Sequence, residues 1–180
     1  MRKALVLHPA STCEAVTSIE VEVSPAAPSG VDLIYVVDGR IADIRMPTST
    51  EPATADDLWR HTCFEMFART IGRPDYVELN LAPSTRWGSF YLASYRDTPQ
   101  RLRTAPPDIV SQSGAERYEL RAFAVLPERG PWRLGLSAVI EENNGNISYW
   151  ALTHPPGKPD FHHPDCFALE LPLAYLSPRT

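Results

Sequence analysis

Nowhere in this chain does a 3.6-residue apolar period persist over three turns, whereas period-two runs of Val, Ile, Leu, Tyr and Trp recur along its length. Its 18 prolines, about twice the usual frequency, fall mostly between those runs, at Pro25, Pro28, Pro47, Pro52, Pro106, Pro107, Pro155 and Pro156. Proline has no amide proton to give a sheet, so this spacing marks loops between short strands. The pattern predicts an all-β fold, an antiparallel β-sandwich or barrel with little helix. Helix is expected only as a turn or two near Ala55–Leu58 or Leu173–Leu176. At 180 residues, positions 1–180 are expected to form one domain with a sizeable core.

Within that pattern the stretch Leu58 to Arg96 is the most informative. In Tyr76–Leu81, apolar Val77, Leu79 and Leu81 alternate with Tyr76, Glu78 and Asn80, which predicts a half-buried strand. In Cys63–Ala68, Phe64, Met66 and Ala68 take one face and Cys63, Glu65 and Phe67 the other, so Glu65 is expected to point away from the core. A Gly72–Asp75 turn joins the two into an antiparallel pair. Cross-strand neighbours lie roughly 5 Å apart, so Glu65, Tyr76, Glu78 and Asn80 are expected to cluster.

Elsewhere Ala4–His8, Val16–Val23 and Gly30–Asp38 read as strands, the last buried on both sides. Asp38-Gly39 reads as a turn, with Ile41–Arg45 as the returning strand. Pro47–Asp57 and Thr98–Gly114 read as loops, the first long enough to cover something. Tyr118–Leu126, Trp132–Glu141 and Ile147–Leu152 follow as strands, the last two joined by a hairpin turn at Asn143-Asn144-Gly145-Asn146, where Asn and Gly tolerate positive φ. A loop, Thr153–Pro164, precedes a last strand, Cys166–Leu171.

Charge and cysteine content narrow the function. The net charge is -5 and the 17 Lys and Arg are scattered singly, which argues against nucleic acid. No apolar run reaches the roughly 18–20 residues of a membrane span, and Ala4–Leu7 is too short for the core of a signal peptide. Cys13, Cys63 and Cys166, an odd number without a CxxC pair, suit a reducing compartment, so a cytoplasmic location is expected.

Three constellations carry possible chemistry. The first is Glu65, Glu78 and Asn80, joined by Arg121 if the Tyr118–Leu126 strand packs alongside; such an array of acceptors and donors suits the hydroxyls of a polar ligand. Its alternative is a solvated sheet face. The second is aromatic: Trp59, Trp87, Trp132 and Trp150. A sugar ring stacks its C–H face on an aromatic plane while its hydroxyls find polar partners. Trp132 continues an apolar face and reads as core, and Trp59 and Trp87 flank strand ends. The third is the run from His154 through Asp160 to His162 and His163, residue types that suit zinc, iron or copper. Neighbouring His162 and His163 point apart in extended chain, and the proline-rich loop reads better as a groove lining. Glu65 and Glu78 could also form a hydrolytic carboxylate pair.

The order Leu58-Trp59, Cys63, Glu65, Phe67, then Tyr76, Glu78, Asn80, Pro83 and Trp87, resembles DOMON-like domains related to the family-nine carbohydrate-binding modules. Trp150 to Pro155 and Pro159 to Phe167 look like a stand-alone bacterial branch of that superfamily. The resemblance implies a jelly-roll-like sandwich that binds a sugar or other small ligand on its concave face and does no chemistry. The expected function is therefore non-catalytic binding of a saccharide or sugar-containing metabolite, with no cofactor. Glu65, Glu78 and Asn80 would supply hydrogen bonds, Arg96 or Arg121 charge, and Trp59, Trp87 or Trp150 stacking, with His154 and His162 from the tail lining the site. The alternatives are a hydrolase using Glu65 and Glu78 or a metal on His154, His162 and His163, haem binding, for which Met66 is the available Met ligand but reads as core, and a protein-interaction sandwich.

Overall fold

The computed structural model describes residues 1–26, 29–127 and 130–172. Its strands are β1 (Arg2–Leu7), β2 (Val16–Ala26), β3 (Gly30–Gly39), β4 (Cys63–Thr70), β5 (Tyr76–Leu81), β6 (Trp87–Leu92), β7 (Gln100–Arg101), β8 (Asp108–Ser113), β9 (Arg117–Val125), β10 (Trp132–Glu141), β11 (Ile147–Ala151) and β12 (Leu169–Leu171). All neighbouring strands pair antiparallel, in the order β7-β6-β5-β4-β10-β11-β1-β2-β3-β9-β8. β1 belongs to both halves of that path: Arg2–Leu5 pair with β2, and Val6–Leu7 pair with β11. One half, sheet A, comprises β1, β2, β3, β9 and β8. The other, sheet B, runs from β7 to β11, with β12 pairing the start of β10.

The halves close over one core because the strands inside the β7 and β8 edges give it alternate residues. Sheet A contributes Ile19, Val21, Val23, Leu33, Tyr35, Val37 and Leu120; sheet B contributes Phe64, Met66, Leu81, Leu134, Leu136 and Ile140. Tyr35 and Phe64 meet across the gap with ring centroids 5.0 Å apart, and the Tyr35 hydroxyl donates to the Glu65 carbonyl at 2.7 Å. Burying a side chain such as Phe64 stabilises the fold by roughly 2–3 kcal/mol. The antiparallel sandwich expected from the sequence is thus observed, and among the described residues helix is limited to single 3-10 turns at Ile41–Asp43, Leu58–Arg60 and Pro164–Cys166. The expected turn at Leu173–Leu176 lies outside the described residues.

Four local expectations are corrected. Ile41–Arg45 is no returning strand: β2 and β9 already occupy both edges of β3, so no edge remains for it to pair with. The chain turns out at Gly39, φ 150°, where an added Cβ would stand 2.1 Å from the Ala15 carbonyl oxygen. Thr98–Gly114 holds β7 and β8; β8 is an edge strand wet on both faces, so it has no apolar period to read. β3 buries only one face, leaving Asp32 exposed and Ile34 and Val36 half-buried. The final strand shrinks to Leu169–Leu171, the chain before it winding through a 3-10 turn.

Candidate functional site

The outer face of sheet B is where alternation and burial part company. Register sets Glu65 opposite Asn80, Phe67 opposite Glu78, Glu78 opposite Phe90 and Ser137 opposite Glu65. These side chains point away from the core, as parity requires, yet Glu65 and Asn80 are only 2% exposed. The cover comes from three loops. Residues 47–57 run along β6, with Ala55 N–H donating to the Trp87 carbonyl and Trp87 N–H to that of Ala53. Gly88 leaves room for the approach, since an added Cβ would lie 2.8 Å from the Phe90 ring and 3.0 Å from the Ala55 oxygen. Residues 93–99 form the second rim. The third, 153–167, crosses the face of β10 and seats Phe167 against Phe67 and Tyr76.

Between these loops lies a cleft of about 630 Å³ whose floor is Glu65, Glu78 and Asn80. Aromatic side chains wall it: Phe67, Phe90, Tyr149 and Phe161, with Trp59 on the rim at 46% exposure. Arg96, Lys158, Asp160 and His162 complete the polar lining, with Asp56 and Asp57 beside Trp59.

Two side-chain hydrogen bonds hold the floor. Ser137 Oγ donates to Glu65 Oε2 at 3.1 Å and Asn80 Nδ2 to Glu78 Oε1 at 2.7 Å. Asn80 Oδ1, fully buried, has no partner. Burial first, then repulsion from Glu78, pushes the Glu65 carboxyl up to about 8, partly offset by the Ser137 bond. Glu78 is raised by burial, with the Asn80 bond opposing. Glu65 is therefore a neutral acid near neutral pH, beside a second carboxyl that is itself hard to ionise.

His162 stands over this floor. Its Nδ1 shares a 2.8 Å hydrogen bond with the Tyr76 hydroxyl, which also accepts from Arg96 N–H at 3.4 Å. The other ring nitrogen, Nε2, stands 4.0 Å from Glu78 Oε2. Burial, with Arg96 nearby, pulls His162 down to about 4, so the ring is neutral. Asp160 ties the rim together: Arg96 donates to it at 2.8 Å, Tyr95 through its hydroxyl, and His162 through its backbone N–H at 3.2 Å. Arg96 and Asp57 both adopt left-handed φ, 54° and 57°, a conformation that costs about 1–2 kcal/mol and concentrates at functional sites.

Of the sequence-expected residues, Trp59, Glu65, Glu78, Asn80, Arg96 and His162 converge here. Four do not. Trp87 is 5% exposed and faces the core, because it pairs with Leu81 on the inward face. Trp150 is also in the core, its Nε1 donating to Ser148 Oγ. Arg121 lies on the outer face of sheet A, ion-paired to Glu119, because β9 packs between β3 and β8 and not beside β5. His154 turns away to the Val6 carbonyl and packs edge-on to His8.

The metal alternative loses its geometry: His154 is held by Val6, His162 by Tyr76, and His163 Nδ1 accepts from Asp165 N–H. Among the described residues no group of three His, Cys, Asp or Glu is placed to hold a metal ion. Met66 lies in the core and reaches no cleft.

Sequence reasoning missed the walls. Phe90 was within reach, since it faces Glu78 once the β5–β6 register is fixed. Tyr149 follows likewise from its pairing with Val139. Phe161, Lys158 and the two aspartates come from loops, where no periodicity reports direction.

No family model matches the chain, and no curated protein is similar to it in sequence. Solved structures that share its fold include the following two. A proposed carbohydrate-binding protein from Bacteroides uniformis superposes with TM-score 0.60 at 12% identity, covering 92% of this chain and 83% of its own. A family-nine carbohydrate-binding module from Caldicellulosiruptor kristjanssonii, in complex with glucose, superposes with TM-score 0.51 at 7% identity, covering 82% and 72%. The sandwich is thus of the kind found in the family-nine modules. Among the described residues no helix is long and apolar enough to cross a membrane.

Proposed function

We propose that this protein is a non-catalytic binder of a saccharide or sugar-containing metabolite, held in the cleft on the outer face of sheet B. The observation that carries the reading is the floor itself: Glu78 and Asn80, locked to each other at 2.7 Å and nearly dry, beneath aromatic walls, with Asn80 Oδ1 unpartnered. A buried acceptor without a partner costs about 1–3 kcal/mol, which a ligand hydroxyl recovers. Trp59, half exposed at the rim, offers the plane on which a sugar ring stacks. The fold shared with two carbohydrate-associated structures supports the same reading, and with it membership of a DOMON-like branch of that superfamily. Three unpaired cysteines fit work in the cytoplasm.

The test is titration calorimetry against neutral mono- and disaccharides. Binding that falls about tenfold or more in Asn80→Ala, with the fold intact, supports the reading. Saccharide affinity unchanged in both Asn80→Ala and Trp59→Ala removes the cleft as its site.

A second reading has one observation in its favour: Glu65 holds its proton up to about 8 beside Glu78, and a neutral acid next to a carboxylate is the equipment of glycoside hydrolysis. Release of a nitrophenol from aryl glycosides, lost in Glu65→Gln, would make the protein an enzyme.

A further inference from the structure

The acids around the cleft have cationic partners at its rim and none at its floor among the described residues. Asp56 is paired with Arg101, Asp57 with Arg60 at 3.5 Å, and Asp160 with Arg96 at 2.8 Å. Glu65 and Glu78, the two most buried acids of the set, have no Lys or Arg within ion-pair distance among the described residues, and the nearest imidazole, His162, is neutral. Lys158 lines the cleft from the third loop but ion-pairs with neither. On the floor Ser137 Oγ donates to Glu65 and one N–H of Asn80 to Glu78, while the buried Asn80 Oδ1 has no donor among the described residues. A neutral hydroxyl brings one donor to this array. A protonated amine brings three, with the positive charge that the floor lacks, into a cleft lined by Phe67 and Phe161.

We infer that the cleft is selective for an amine-bearing ligand, an amino sugar with a free ammonium group, which seats that group between Glu65, Glu78 and Asn80 Oδ1. The inference rests on the saccharide reading and narrows it. Seating the cation allows both carboxylates to ionise, so the proton that Glu65 carries in the free protein leaves on binding. Acetylating the amine removes the charge and two of its N–H donors, and adds bulk against a dry floor.

The experiment is calorimetric titration of the full chain with glucosamine, N-acetylglucosamine, glucose and ethanolamine, near pH 6.5 where a sugar amine is charged, in two buffers of different ionisation enthalpy. Glucosamine is expected to bind about tenfold or more tighter than glucose and N-acetylglucosamine, with release of about one proton. Glu78→Gln and Glu65→Gln, close in shape to the native residues, should each shrink that preference. Equal binding of the three sugars overturns the amine inference and leaves the saccharide reading standing. Binding of ethanolamine alone keeps the amine site and removes the sugar. Binding by none of the four removes both.

Discussion

On the outer face of sheet A, Glu20, Asp38, Glu119, Arg117 and Arg121 stand toward solvent, and each finds its opposite charge: Arg2 with Glu20, Arg117 with Asp38, Arg121 with Glu119. On the outer face of sheet B, Glu65, Glu78 and Asn80 occupy the same outward phase of the same alternation, yet they lie in a dry floor without a cation. Strand parity is identical on the two faces. What differs is cover: loops 47–57, 93–99 and 153–167 all gather over sheet B. A polar residue in the outward phase is thus a surface residue or a site residue according to what the loops do.

The contrast can be broken most severely at Phe67, which points outward yet is 1% exposed beneath Phe167 and His162. Phe67→Ala is expected to cost about 3–5 kcal/mol in urea unfolding, the cost of a core deletion. Val36→Ala, outward on sheet A, should cost roughly 1 kcal/mol. Equal costs would mean that sheet B is no better covered than sheet A.

The next largest effect is on pH dependence. In the unfolded chain Glu65 ionises as an ordinary carboxylate, whereas in the fold it keeps its proton up to about 8. Unfolding therefore releases a proton between those values, and stability falls as pH rises through the window. Glu65→Gln should flatten that slope, raising stability at the alkaline end by roughly 2–4 kcal/mol relative to the acid end. Denaturation midpoints measured from pH 4 to pH 9 would show it, and an unchanged slope would mean that Glu65 is not dry.

Trp59→Ala should then sharpen the distinction between site and scaffold. Saccharide affinity is expected to fall by about 1–2 kcal/mol, with the melting temperature nearly unmoved, because half the ring is already in water. The smallest effect belongs to sheet A: Arg121→Ala should change stability by about 0–1 kcal/mol and leave ligand titration unaltered.

The division between what was legible and what was not follows the same line. Strands β2, β4, β5, β9 and β10 were readable because each sets buried apolar residues against an outward row, and the Glu65–Asn80 pairing followed from one short turn. Trp87 and Trp150 misled because tryptophan type suggests a ligand while position on the inward phase assigns it to the core. Arg121 misled because sheet order is a long-range property: nothing local places β9 beside β3 and away from β5. Asp160, Phe161 and Lys158 could be placed only by their loop, whose path is fixed by contacts distant in sequence, such as Asp160 with Arg96.

That last contact has a kinetic meaning. The 93–99 and 153–163 rims meet at the Asp160 carboxylate, which holds Tyr95, Arg96 and the His162 amide at once, and again where the Tyr95 ring packs edge-on to His163. The two rims cannot part from each other without releasing that carboxylate. One of the contacts that must break is a partly solvated ion pair, and ions in the medium weaken such a pair. For a ligand held there as proposed, residence time is expected to depend on the surrounding electrolyte, longest in dilute buffer and shortening as salt loosens the clasp.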